Sequence, residues 1–192
     1  MNSYLIEKEI KLKIDYWLER ASSFSIKSGM QWYTETNSFA LDLALKHNKS
    51  INTVAGLIAV FSPMKEWGLN KRMVECYLEE GTCGHTKGQL SKAAIINNGY
   101  TNDIYIIKVL GGRKTSSFYH NIVHPSSSDK ITIDFRIWKH FKPDSWEHIT
   151  PKRYDLMEKC FLDKALENHI VGNQLQSILW LQTKTEHGRF TS

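Results

Sequence analysis

Ser50-Ile51-Asn52-Thr53-Val54-Ala55-Gly56-Leu57-Ile58-Ala59-Val60-Phe61-Ser62-Pro63 is the stretch on which the fold turns. From Val54 to Phe61 every residue is apolar or glycine, so a helix made of them has no polar face and belongs at the centre of a core. Ser50 or Asn52 can accept orphan amide hydrogens at its start. Pro63 stops it at Ser62, because proline lacks an amide donor and disfavours helical geometry in the residue before it.

Outward from this helix the pattern stays helical. Leu69, Met73, Cys76 and Tyr77 recur at i, i+4, i+7 and i+8, and Gly81 signals the end of the helix they define. Upstream, Asn37 can cap a helix bearing Phe39, Leu41, Leu43, Ala44 and Leu45, and residues 5–20 predict an exposed opening helix. Downstream, Gln89–Asn97 and Asn102–Leu110 predict two short helices, although Ile104-Tyr105-Ile106-Ile107 also suits a strand. Lys114–Val123 and the Ile131–Phe141 stretch follow, separated by a turn at His124–Asp129. Thr150 before Pro151 is an N-cap with proline at the first helical position, backed by Tyr154, Met157, Phe161 and Ala165; Val171, Leu175, Ile178 and Leu179 mark the last helix. No repeat and no run of alternating strands interrupts this order, so the expected fold class is all-α.

The 192 residues are enough for one compact domain or two small interleaved lobes. Hydrophobic residues at 41% and charged residues at 23% exclude a disordered polymer or a fibrous repeat. No apolar run approaches the roughly 20 residues of a membrane span, and the opening MNSYLIEKEIKLKID is too charged for a signal peptide, so a cytoplasmic protein with no membrane partner is expected. The excess of 25 Lys and Arg over 20 Asp and Glu suits a polyanionic partner without demanding one. Residues 101–192 carry 13 of those basic and 10 of those acidic groups, so there is no basic tail. Cys76, Cys83 and Cys160 are odd in number and lack metal-ligand spacing, which argues against a disulfide framework, a zinc site or any other metal, and no cofactor is expected.

Two features carry possible chemistry. Leu110-Gly111-Gly112-Arg113-Lys114-Thr115 places a glycine pair at a helix start, where backbone amides can approach a phosphate and the helix dipole adds positive potential. It is not a Walker loop, which needs four residues between its glycines and a strand ahead of it. Asp134, twenty positions beyond Lys114, is a lone carboxylate in the apolar setting Ile131-Thr132-Ile133-Asp134-Phe135-Arg136. Taken singly, the glycine pair serves a turn and Asp134 serves as an N-cap.

Taken together and in order, these segments resemble the helix-hairpin-helix (HhH-GPD) DNA glycosylases related to endonuclease III. In that family the hairpin reads approximately L-P-G-x-G-x-K-[ST], followed downstream by V-D-x-H; here Leu110–Thr115 is followed by Ile133-Asp134-Phe135-Arg136. Leu57–Ser62 with Asn70-Lys71 is similar to the family's S-A-Q…N-K turn, Ser91-Lys92-Ala93 to its S-K-A, and His187-Gly188-Arg189-Phe190-Thr191 to its H-G-R-Y-T. The resemblance spans residues 52–191. The hairpin here is one residue short and lacks the proline, Arg136 replaces the histidine, and with the chain ending at Ser192 no iron–sulfur cluster is expected.

The resemblance implies two helical lobes, residues 29–129 and residues 1–28 plus 130–192, with double-stranded DNA in the cleft between them and a monomeric enzyme. It implies excision of a damaged or modified base, either in repair or in defence against phage with modified DNA, with the target nucleotide flipped out of the stack. Lys114 matches the position of the attacking lysine in bifunctional members, whose amine forms a Schiff base with the sugar before the strand is nicked. Asp134 would stabilise the oxocarbenium character of the sugar or orient the nucleophile. Gly111, Gly112, Arg113, Thr115 and Lys139 would contact phosphates, and Ser62, Met64, Trp67, Asn70 and Lys71 would face DNA, with Met64 or Trp67 as a wedge. Trp32, Tyr33, His120 and Trp138 are candidate pocket walls for the extruded base, with core packing as the alternative for each. The rival readings are a non-catalytic helix-hairpin-helix DNA-binding module, in which Lys114 holds phosphate and Asp134 caps a helix, and a helical interaction protein.

Overall fold

The computed structural model describes residues 3–99, 101–126 and 129–189; of residues 186–189 only the backbone is described. Phe190 and Thr191, at the end of the H-G-R-Y-T-like stretch, and Ser127 and Ser128 of the predicted turn lie outside the described residues. The fold is all-helical, with ten helices and no strand among the described residues. No described helix is long and apolar enough to cross a membrane. The chain divides into two compact units, Thr34–His124 and Met1–Tyr33 with Pro125–Ser192.

In the Thr34–His124 unit, α3 (Ile51–Phe61) is the axis. Ser50 caps it, its hydroxyl accepting from the Thr53 amide at 3.0 Å, and Ser62 closes it immediately before Pro63. Thr53 through Phe61 are all buried. Leu57, Ile58, Val60 and Phe61 are almost wholly removed from water, each contributing about 1.5–3 kcal/mol. Packed around it are α4 (Trp67–Glu80), α5 (Lys87–Asn98), α6 (Asp103–Leu110) and α7 (Arg113–Val123). Gly56 lets two of them approach: a Cβ there would lie 3.0 Å from Ile96 and 3.1 Å from Ile106. Gly81 ends α4 in the left-handed conformation, as its position predicts. The Ile104–Ile107 run is helical because Asn102 caps α6, accepting from the Tyr105 amide at 2.9 Å.

The other unit gathers α1 (Ser3–Glu19), the first part of α2 (Ser23–Lys46), α8 (Phe135–Phe141), α9 (Pro151–Glu167) and α10 (Gly172–Arg189). Ile10, Ile14, Ile137, Phe141, Met157, Phe161, Leu175 and Leu179 fill its core. Thr150 caps α9 with Pro151 in the first turn, as expected. The expectation of an N-cap at Asn37 is corrected: α2 is one 24-residue helix running through that position. The Asn37 amide instead donates to the Ile122 carbonyl at 2.8 Å, a tertiary bond within the Thr34–His124 unit. Earlier in α2, Gly29 lies so close to α10 that a Cβ would sit 2.5 Å from the Ile178 backbone.

Between Lys130 and Asp134 the chain is in neither helix nor strand, and Ile131, Thr132 and Ile133 are buried. Buried backbone groups need partners, and here α9 side chains supply them. Glu158 accepts from the Ile131 amide at 2.9 Å. The Tyr154 hydroxyl donates to the Ile131 carbonyl at 2.7 Å and accepts from the Ile133 amide at 3.2 Å. This irregular segment leads to Asp134 at the start of α8.

Candidate functional site

The glycine pair joins α6 to α7 in a short turn. Gly111 adopts the left-handed conformation (φ 72°) that closes α6, and Gly112 is extended at the start of α7. No side chain caps α7 from Gly112, and the first amides of a helix have no intrahelical partner, so the turn presents donors at the positive end of the helix dipole. Lys114 is half-buried in the first turn, Arg113 is exposed, and the Thr115 hydroxyl turns back to the Gly112 carbonyl at 2.9 Å. From α5, Lys92 donates to the Leu110 carbonyl at 2.8 Å and fixes the end of α6 against the turn.

The opposite end of the hairpin is also tied. Asp103 at the start of α6 accepts from the Tyr119 hydroxyl of α7 at 2.6 Å and from Asn52 of α3 at 3.1 Å. Its second oxygen lies 3.6 Å from His124 Nε2, just past the end of α7. Burial, and then the bond to Asp103, pushes the Tyr119 phenol above its ordinary range. His120, a candidate pocket wall, is half-buried with its ring 4.8 Å from that of His124.

Beyond α3, the turn Ser62–Glu66 carries Met64 at its tip, 98% exposed and at φ 58°. A non-glycine residue held there is strained, and a methionine so exposed contributes nothing to the core. Ser62 donates to the Ala59 carbonyl at 3.0 Å. Trp67 packs edge-on against Phe39 at 6.0 Å, with the Lys71 ammonium 5.5 Å from the Phe39 ring and 5.6 Å from that of Trp67. The expectation of a DNA-facing Asn70 is corrected. Asn70 is 2% exposed and its amide is spent on the Ile58 carbonyl at 3.0 Å, tying α4 to α3.

Asp134 caps α8. One carboxylate oxygen accepts from the Ile137 amide at 2.9 Å and the other from the Trp180 indole at 2.8 Å. Trp138, one turn on, is buried and stacks on Trp146 at 5.6 Å, which is the core-packing alternative. Tyr33 is buried too, its hydroxyl bonded to Thr132 and Gln176 at 2.9 Å each, with Trp32 half-buried and edge-on to it at 4.7 Å. Lys139 is exposed. Lys114 and the hairpin thus belong to the Thr34–His124 unit, and Asp134, Lys139 and the three aromatic residues Trp32, Tyr33 and Trp138 to the other.

Over residues 2–187 the sequence matches DUF7178, a family of unknown function. The chain belongs to this family. No curated protein and no solved structure matches it.

Several residues that build the two candidate regions in this DUF7178 chain are silent in its sequence. Lys92 was legible only as part of a serine-lysine-alanine match, not as the partner of Leu110. Asp103, Tyr119 and His124 meet across α6 and α7, and Trp180 reaches Asp134 from 46 positions away, so no local spacing announces either contact. Phe135 sits between two motif residues and is 80% exposed, which periodicity alone does not reveal.

Proposed function

We propose that the chain is a DNA glycosylase that removes a damaged or modified base and then cleaves the abasic site through Lys114. The observation that carries the reading is the hairpin: two helices joined by Gly111-Gly112, braced by Lys92 at the turn and by Asp103 and Tyr119 at the far end, with Lys114 in the first turn of α7. Such a turn holds a phosphate through backbone amides and positions a strand without reading its sequence. The strained, outward Met64 supports it as the side chain that fills the gap when a nucleotide leaves the stack.

In this reading the neutral Lys114 amine attacks the sugar carbon that carries the base. The carbon–base bond breaks, the base departs with its electron pair and takes up a proton, and the amine is left as a Schiff base with the opened sugar. β-Elimination then releases the downstream phosphate strand. Asp134 stabilises the positive charge that develops on the sugar. The two lobes and the cleft between them are part of the proposal, as are a monomeric state and a role in repair or against modified phage DNA.

One observation favours a second reading. Both oxygens of Asp134 already accept hydrogen bonds, one as a helix cap, which is what a non-catalytic helix-hairpin-helix DNA-binding module requires of it.

Incubation with duplexes that each carry one altered base, followed by mass spectrometry of free bases, tests the proposal. Borohydride trapping on an abasic-site duplex tests the lyase step. Release of a base, together with a covalent adduct that disappears in Lys114→Ala, is the expected result. Duplex binding with neither base release nor adduct selects the non-catalytic module, and failure to bind DNA at low salt removes both readings.

A further inference from the structure

We propose that the surface of α8 and α10 around Asp134 is a strand-binding face, on which Phe135 stacks a nucleobase and Lys139 and Lys184 hold flanking phosphates. The inference rests on the reading of the chain as a DNA-acting protein and adds to it a contact surface outside the hairpin.

The seven-residue α8 turns Ile137, Trp138 and Phe141 into the core. Phe135 and Lys139 are one turn apart and lie on the face away from those residues, Phe135 at 80% exposure and Lys139 exposed. The core of this unit is already supplied by its neighbours on both sides, so an outward phenylalanine serves no packing there.

α10 packs against α8. Trp180 reaches Asp134 through its indole N–H at 2.8 Å. The Lys184 ammonium stands 5.3 Å from the Trp180 ring and the Arg136 guanidinium 5.7 Å from it. Arg136, Lys139 and Lys184 put three cations on α8 and α10 together with Asp134, whose oxygens both accept from N–H donors. Exposed aromatic surface interleaved with an excess of cations is what a single strand needs, since every base has a face to stack and every linkage a phosphate to neutralise. The aspartates and glutamates of an acidic peptide would use the cations but have no ring to stack on Phe135.

The test is fluorescence anisotropy with a labelled duplex holding one uncleavable abasic-site analogue, and with a single strand of the same sequence, over a series of salt concentrations. Phe135→Ala is expected to weaken binding by roughly tenfold at an unchanged salt slope, while Phe135→Tyr retains it. The Lys139→Ala, Lys184→Ala double variant is expected to reduce the slope of log affinity against log salt by about 2. Circular dichroism of these surface variants should match the native chain. If the native chain binds DNA and both Phe135→Ala and the double variant bind as it does, the face is overturned and the hairpin reading stands. If the native chain binds no DNA, both fall together. Competition by poly-glutamate as effective as by DNA also overturns the assignment, in favour of an acidic peptide.

Discussion

The two candidate regions, one in each unit, are held by opposite means. The Gly111-Gly112 turn is local: a left-handed glycine, a helix cap and a lysine one helix away settle its shape. The Ile131–Asp134 segment has no local reason to be where it is. It is in neither helix nor strand, and its backbone is bonded by Tyr154 and Glu158 from α9, while its carboxylate is held from α10 by Trp180. The lesson is that a functional group at the end of an irregular segment is only as well placed as the distant side chains that complete its hydrogen bonds.

The strongest way to break this comparison is to remove a distant partner. Glu158→Ala leaves the buried Ile131 amide unsatisfied and opens a small cavity, and a loss of about 3 kcal/mol of stability is expected in urea denaturation. The loosening should be confined to the unit that contains it. Burial pushes the Cys160 thiol of that unit up to about 11, so it is protected from alkylation in the folded chain. In Glu158→Ala its alkylation rate should rise while the rates at Cys76 and Cys83, in the other unit, stay as they are. Equal acceleration at all three thiols would show that the segment is not held by α9 in the way argued.

The same contrast explains what was legible in the sequence. The helix α3 was readable from end to end, because Ser50 and Pro63 act within their own turns and the apolar run between them needs no partner to declare itself. So were the ends of α4 at Gly81 and of α9 at Thr150-Pro151. The start of α2 was not: Asn37 has the chemistry of a cap, but its amide is drawn to Ile122, 85 positions away, and the helix begins instead at Ser23. A small-residue stretch around Gly29 hides its packing face, since glycine signals flexibility in a sequence and close approach to Ile178 in the structure. At the site, Asp134 as a cap was one of the readings the sequence offered, and Trp180 as the donor to its second oxygen was not, for want of any spacing rule that reaches across α9.

The local half is sharpened by separating its two glycines. Gly111 has φ 72°, and a Cβ there would meet no atom closer than 3.9 Å, so Gly111→Ala should cost about 1–2 kcal/mol from backbone strain alone. Gly112 has φ −100°, ordinary for any residue, and its Cβ would meet only the Thr115 hydroxyl at 3.3 Å, the end of a side chain that can turn. Thermal unfolding should therefore place Gly111→Ala clearly below Gly112→Ala, which should lie near the native chain. The reverse order would mean that the turn is shaped by contact and not by conformation.

The smallest effect separates the units by charge. In the unit of α1 and α9, Lys159 bonds Glu7 at 2.7 Å and Lys13 bonds Asp144 at 2.8 Å, and these bonds hold both carboxyls below their ordinary range. The other unit has the comparable pair Lys46–Glu79 at its surface, also at 2.7 Å, with Glu79 lowered in the same way. A carboxyl lowered in the folded chain takes up its proton less readily there than when unfolded. Its contribution is therefore complete above the ordinary carboxylate range and lost as pH falls through the lowered value. Asp144 and Glu79 are open to water and Glu7 is partly so, and water screens such pairs, so the loss is slight and shrinks at high salt. Hydrogen exchange should quicken on acidification along α1 and the Lys142–Asp144 turn, where two such pairs and the Lys11–Asp163 bridge at 2.8 Å act together, and stay nearly level in α3, whose stability is apolar burial. An α3 as acid-sensitive as α1 would show that the two units unfold as one, and the contrast between local and distant support would then have no separate stability to express.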